Sequence, residues 1–145
     1  MNVGQICSRK LLSIPASAPI SDAAKLMHEG NVGAIVVTRS PASDPLPIGI
    51  ITDRDIMRAQ LSHTADLTRL WAEDVMTPDP LVVHEDTSLE DAVREMRDRG
   101  VRRAPVISAT GALIGIVSTD DLISTFAREI TGLAQVLEKR SAPHS

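Results

Sequence analysis

Two short segments place a hydroxyl and a carboxylate where they can act together: GIITDRD at residues 49–55 and GIVSTDD at residues 115–121. In each, an apolar run ends on the hydroxyl and the acid follows one helical turn later, pairing Thr52 with Asp55 and Ser118 with Asp121. Two chemistries fit this spacing. Ser/Thr-x-x-acid at a helix start is a capping box, in which hydroxyl and acid satisfy free main-chain N–H groups. A carboxylate beside a helix N-terminus can instead accept both hydroxyls of a ribose, while the N-terminus itself favours phosphate. Capping boxes prefer Glu or Gln at the fourth position, yet both segments use the shorter Asp. Gly49 and Gly115 also precede the two motifs and permit close backbone approach, or simply loosen a turn.

Other chemistry is sparse. His28, His63, His84 and His144 are scattered without metal-ligand spacing. His84-Glu85-Asp86 reads as a solvated cap before a helix. Cys7, the single cysteine, reads as a passive, half-buried thiol. No Gly-rich phosphate loop of the P-loop or dinucleotide kind is present, and no group is placed to activate a nucleophile or water. The expectation is a binding protein with no catalytic residue.

The two motifs belong to a unit written twice. Asp22-Ala23 aligns with Asp91-Ala92, Met27 with Met96, Val32 with Val101 and Val37 with Val106, all at a separation of 91 − 22 = 69. Ile48-Gly49-Ile50 aligns with Ile114-Gly115-Ile116, and Asp55 with Asp121, at 115 − 49 = 66. The change of register falls where RSPASDPLP in the first copy faces the shorter SATGAL in the second, both rich in turn residues. Each copy reads as strand (11–14; 81–83), helix (22–29; 89–99), two strands (34–38 and 48–51; 104–107 and 113–117) and a closing helix. The expected fold class is α+β: two tandem β-α-β-β-α repeats packed through their sheets about a pseudo-twofold axis, with two equivalent clefts between them. The division is 1–60 for the first repeat, 61–71 for a linker holding a loop and a short helix, 72–125 for the second repeat and 126–145 for a C-terminal helix and tail. Neither copy buries much apolar surface alone, so they must share a core. In the last segment Leu122, Phe126, Ile130, Leu133 and Leu137 share a helical face. That stripe packs on its own repeat or forms a dimer contact.

Composition narrows the function. With 15 Lys+Arg against 19 Asp+Glu the net charge is −4, a poor footprint for duplex nucleic acid. Trp71 and Phe126 are the only aromatics, too few for base stacking on a sheet. The stretch after Arg9-Lys10 loosely imitates a secretory signal, but its apolar part is short, carries Pro15 and has a counterpart deep inside the chain. No apolar run approaches the roughly 18 residues that cross a bilayer. These features predict a cytoplasmic protein without a membrane or nucleic-acid partner.

With D-A-x-x-x-M in each first helix, VRRAPVI before the second hairpin and G-h-h-[ST]-x-x-D (h apolar) at each last strand, the sequence resembles the tandem cystathionine-beta-synthase (CBS) domain pair, or Bateman module, over residues 3–125. The resemblance implies a stand-alone regulatory module that binds AMP, ATP or S-adenosylmethionine and signals through altered packing. By the same resemblance Thr52 and Asp55 hold one ribose, and Ser118 and Asp121 the other. The adenine would be enclosed near Ile14, Val32, Gly33, Ala34, Val83, Val101, Arg102 and Arg103, with Arg103 reaching a phosphate. Arg54 in the first motif faces Asp120 in the second, so the two sites are expected to differ and the Thr52/Asp55 cleft to take the more phosphorylated ligand. The resemblance further implies a homodimer and a separate effector protein. A constitutive dimerisation scaffold with vestigial clefts is the competing reading.

Overall fold

The computed structural model describes residues 1–63 and 67–141. One turn of helix, α1 (Val3–Ile6), leads into β1 (Ser13–Pro15), α2 (Ile20–Gly30), the hairpin β2 (Ala34–Ser40) and β3 (Asp44–Thr52), and α3 (Asp53–His63). A 3-10 turn at Leu67–Arg69 falls within the predicted linker. The pattern then repeats as α4 (Ala72–Val75), β4 (Thr77–Pro78), β5 (Val83–His84), α5 (Leu89–Arg99), the hairpin β6 (Arg103–Ile107) and β7 (Leu113–Ser118), and the long α6 (Thr119–Ser141). The α+β fold of two tandem repeats is as expected. The brief α1, α4 and β4 carry too few residues for a periodic signal and were not expected.

Equivalent helices form and stop for equivalent reasons. Ile20, Ala23 and Met27 of α2 and Leu89, Ala92 and Met96 of α5 form one buried face each. Both helices end in a left-handed residue, Asn31 (φ 52°) and Gly100 (φ 66°), at positions 69 apart. The following residue donates back into the last turn in each: Val32 to the Met27 carbonyl at 3.1 Å, Val101 to that of Met96 at 3.0 Å. Asn is the side-chain-bearing residue that tolerates this conformation best.

The first sheet has the order β1-β2-β3-β4 and the second β5-β6-β7, with the leading strand parallel to its neighbour and the rest antiparallel. Register shifts fall at matching places, between Val37 and Thr38 and between Val106 and Ile107. The leading helices are exchanged between the repeats. In α1, Val3 donates to the Thr87 carbonyl at 2.9 Å and Gly4 to that of Glu85 at 2.8 Å. In α4, Ala72 donates to Ala18 at 2.7 Å and Glu73 to Ala16 at 3.0 Å, the same four positions shifted by 69. Ser8 then bridges to Ile116 as β4 does to β3. Val3 is therefore in the core of the second repeat and Ala72 in that of the first. The linear division at 61–71 divides the sequence, while the packing interleaves.

Packing on its own repeat accounts for only the start of the C-terminal stripe. Leu122 is buried and Phe126 packs beside it against the second core, whereas Ile130, Leu133 and Leu137 are exposed on the part of α6 that runs beyond the body.

Candidate functional site

Each Thr/Ser-x-x-Asp segment sits where a strand ends and a helix begins. The Thr52 N–H donates to Asp55 Oδ2 at 2.9 Å, and the Asp55 N–H to Thr52 Oγ1 at 3.2 Å. Ser118 and Asp121 repeat the pair at 2.9 and 3.1 Å. Both segments are thus capping boxes. Capping does not exhaust them. A carboxylate offers about four lone-pair sites and the cap takes one, while a hydroxyl that accepts the cap bond keeps its own proton to donate. The cap fixes the orientation in which the remaining acceptors are presented.

Between the repeats lies a cleft of about 810 Å³. It brings together Thr52, Arg54, Asp55, Val101, Arg102, Arg103 and Ser118 of the expected residues. It also draws in Thr77, Asp79, Pro80, Leu81, Arg99 and Thr119, which the sequence reading missed. Asp79, Pro80 and Leu81 belong to the segment joining β4, which holds Thr77, to β5, with Pro78-Asp79-Pro80 as its turn signal, while Arg99 ends α5 and Thr119 begins α6. Arg99 Nη2 donates to the Asp79 main-chain oxygen at 2.6 Å and straps this segment in place.

Several expected contacts are corrected. Ile14 and Val83 lie 3% and 1% exposed in the two hydrophobic cores, because residues alternate across a strand and these two face the helices. Leu81, in the irregular segment before β5, packs partly on the second core and also borders the cleft. Val32 lines a smaller pocket of about 260 Å³ with Met27, His28 and Asp53. Gly33, Ala34 and Asp121 line neither space. Arg54 and Asp120, expected to distinguish two sites by charge, border the same cleft.

The two sides are not equivalent, and the repeat register explains it. Arg103 Nη2 lies 3.6 Å from where a Cβ on Gly33 would stand, with Asp53 Oδ2 3.9 Å from the same point. The guanidinium of the second repeat therefore fills space over the first. Its counterpart, Ala34, has only a methyl group and cannot reach back, so the other side stays open. Arg54, Arg99, Arg102 and Arg103 face Asp53, Asp55, Asp79 and Asp120 around the open cleft, four cations against four carboxylates.

Cys7 packs against Gly115 at the edge of the second core. Burial raises its thiol pKa above the ordinary value; Arg9 pulls it down, and Asp121 and Glu85 push it up. No group of three His, Cys, Asp or Glu is placed to hold a metal among the described residues. The His63 side chain and His144 lie outside them. No helix among the described residues is long and apolar enough to cross a membrane.

A family model, the CBS domain, matches residues 3–62 and again residues 72–128. The chain belongs to the CBS domain family. It is a tandem CBS pair, similar to an uncharacterised protein of Methanopyrus kandleri (30% identical over 139 residues, 96% of this chain and 69% of the relative). It is also similar to an uncharacterised protein of Acidianus ambivalens (39% over 120 residues, 83% and 70%). Among solved structures, the CBS pair resembles CBSX2 of Arabidopsis thaliana in complex with AMP, at 29% identity and a TM-score of 0.68 over 90% of this chain and 98% of the other. The CBS pair of the protein MJ0100, bound to 5′-methylthioadenosine and S-adenosylmethionine, shares the fold at 22% identity and a TM-score of 0.73, over 89% and 98% of the two chains.

Proposed function

We propose that this CBS pair is a non-catalytic regulatory module that binds an adenosine-containing ligand, AMP, ATP or S-adenosylmethionine, between its repeats. The observation that carries the reading is the open cleft itself. It has the size of a small-molecule site, its rim holds the Thr52/Asp55 box and Ser118, and four arginines border it. AMP in the complex of the similar CBSX2 supports the ligand class. In this reading Asp55 and Thr52 take one ribose, Ser118 offers the hydroxyl of a second ribose position whose partner Asp121 stands back from the cleft, and Arg103 and Arg54 neutralise phosphate.

A ligand that touches both repeats favours the packing in which both halves meet it, and that difference in affinity is the only means by which binding shifts the pair. The module works as a homodimer in the cytoplasm and passes the shift to a separate effector protein. Thermal unfolding with AMP, ATP, S-adenosylmethionine and NAD tests this, because a ligand bound only by the folded state raises the transition with the logarithm of its free concentration once that exceeds Kd. A rise with at least one of them is expected. No rise with any at millimolar concentration overturns ligand sensing and leaves the constitutive scaffold, which the exposed apolar side chains of α6 favour.

A further inference from the structure

Among the described residues, the non-glycine residues with a positive φ are Asn31 and Asp79. Asn31 caps the end of α2. Asp79, at φ 51°, ends no helix and stands between Pro78 and Pro80. A residue before proline is driven to extended backbone, so the left-handed Asp79 is held against its preference. Two hydrogen bonds hold it, one to each repeat. Its N–H, the sole main-chain donor in Pro78-Asp79-Pro80, donates to the Ile48 carbonyl of β3 at 3.2 Å, and its own carbonyl accepts Arg99 Nη2, from the end of α5, at 2.6 Å. Asp79 Oδ2 lies 3.7 Å from the same nitrogen. The first repeat lacks this strap: 69 positions earlier stand Lys10, which is not left-handed, and Gly30, which has no side chain to donate.

We propose that Arg99 reads the charge of the ligand: an anionic group in the cleft draws its guanidinium off the Asp79 carbonyl, and Asp79 then relaxes toward extended backbone. This rests on the ligand-binding cleft of the proposed function and names how that site distinguishes its ligands. Arg99 and Asp79 both border the cleft, so an anion bound there meets the strap directly. The Arg99 side chain is 43% exposed and that of Asp79 94%, and an ion pair so exposed contributes little. A phosphate offers the guanidinium paired, charge-assisted bonds that a single carbonyl cannot match. Exchange therefore runs toward the ligand. Release frees the segment that leaves β4, whose Thr77 and Pro78 pair with β3, and leads to Leu81 on the second core. The element that moves is the one that joins the repeats. Adenosine fills the same cleft without a charge and leaves the strap closed, so the module reports the phosphate and not the nucleoside.

Hydrogen exchange of the Asp79 amide, followed by NMR in the full chain, tests the proposal with adenosine, AMP and inorganic pyrophosphate at millimolar concentration. In the wild type, AMP and pyrophosphate should each raise the exchange rate by about tenfold or more, the effect of losing a hydrogen bond to a charged group. Adenosine should change it by less than about twofold, since the strap stays closed. Arg99→Ala should exchange fast without ligand and respond to neither anion. A strap with a merely structural role would also exchange faster in Arg99→Ala, but it would not open in the wild type when an anion is added. AMP that leaves the wild-type amide as protected as adenosine does, or an Arg99→Ala protein that still responds to anions, overturns the proposal. Calorimetric titration of adenosine judges the ligand reading separately. Adenosine bound with no opening by either anion sinks the strap alone, and opening by pyrophosphate in a protein that binds no adenosine sinks the adenosine reading alone.

Discussion

Asp55 Oδ2 accepts the main-chain N–H of Thr52 at 2.9 Å, so the carboxylate proposed to hold a ribose also closes the first turn of α3. The two roles separate by substitution. Asp55→Asn keeps an oxygen for the cap but loses the charge, whereas Asp55→Ala loses both. Loss of such a cap costs about 1 kcal/mol. The ligand-free melting temperature should therefore fall by roughly 3–5 °C in Asp55→Ala and stay near wild type in Asp55→Asn. The gain with AMP should be lost in both. Full retention of that gain in Asp55→Asn would remove Asp55 from the site.

Arg103 reaches over Gly33 from the second repeat, and its length is what distinguishes the two sides. If it neutralises phosphate, Arg103→Ala should weaken AMP and ATP by about 10- to 100-fold, the range of a charge-assisted hydrogen bond, and leave adenosine nearly unaffected. Calorimetric titration of the three ligands into both proteins decides this. An equal loss for adenosine means that Arg103 shapes the cleft without touching phosphate.

Much of this architecture was legible because the repeat is regular where apolar residues must coincide. Val37 and Val106, or Met27 and Met96, hold equivalent places in two cores, and a slip of one residue would turn a strand inside out. The site was less legible. Ile14 and Val83 point into the cores, whereas Leu81 reaches the cleft from the irregular segment before β5, whose path a run of apolar residues does not reveal. The exchange of α1 and α4 was invisible for another reason: four-residue helices have no period. Gly115, noted as permitting close approach, is approached by the Ser8 main chain.

Thr38 is fully buried, and its Oγ1 has no hydrogen-bond partner among the described residues. The equivalent position of the second repeat is Ile107, at the same register shift. A buried hydroxyl without a partner carries a desolvation cost that an isosteric methyl avoids. Thr38→Val should raise stability by about 1 kcal/mol in denaturant titration with an unchanged slope. A loss of stability would mean that the hydroxyl is satisfied in solution.

Cys7 has a raised thiol pKa because burial disfavours the thiolate, with Asp121 and Glu85 adding to the effect and Arg9 opposing it. The folded protein should react with iodoacetamide more slowly than the urea-unfolded chain at the same mildly alkaline pH. The sign for stability follows: a raised pKa contributes stability that is present below the unfolded thiol pKa and lost as pH rises through the folded one. Stability attributable to this residue, measured against Cys7→Ala, should decline only at alkaline pH. Equal alkylation rates for the folded and unfolded chains would contradict this.

Two glycines make opposite predictions from one substitution. A Cβ on Gly115 would stand 2.5 Å from the Ser8 oxygen and 2.9 Å from Cys7 Sγ, and Ser8 is held there by its own pair of hydrogen bonds to Ile116 at 2.9 and 3.0 Å. Main chain cannot give way without breaking that bridge, so Gly115→Ala should cost about 1–3 kcal/mol as overpacking. A Cβ on Gly132 meets nothing within 4 Å on the outer part of α6. There Ala restricts the unfolded chain and favours helix, a gain of about 0.5–1 kcal/mol. Chemical denaturation should therefore move the midpoint down in the first variant and up in the second. A neutral Gly115→Ala would show that the N-terminal segment can leave the second sheet at little cost, and the exchange of leading helices would then hold the repeats together far less than its hydrogen bonds imply.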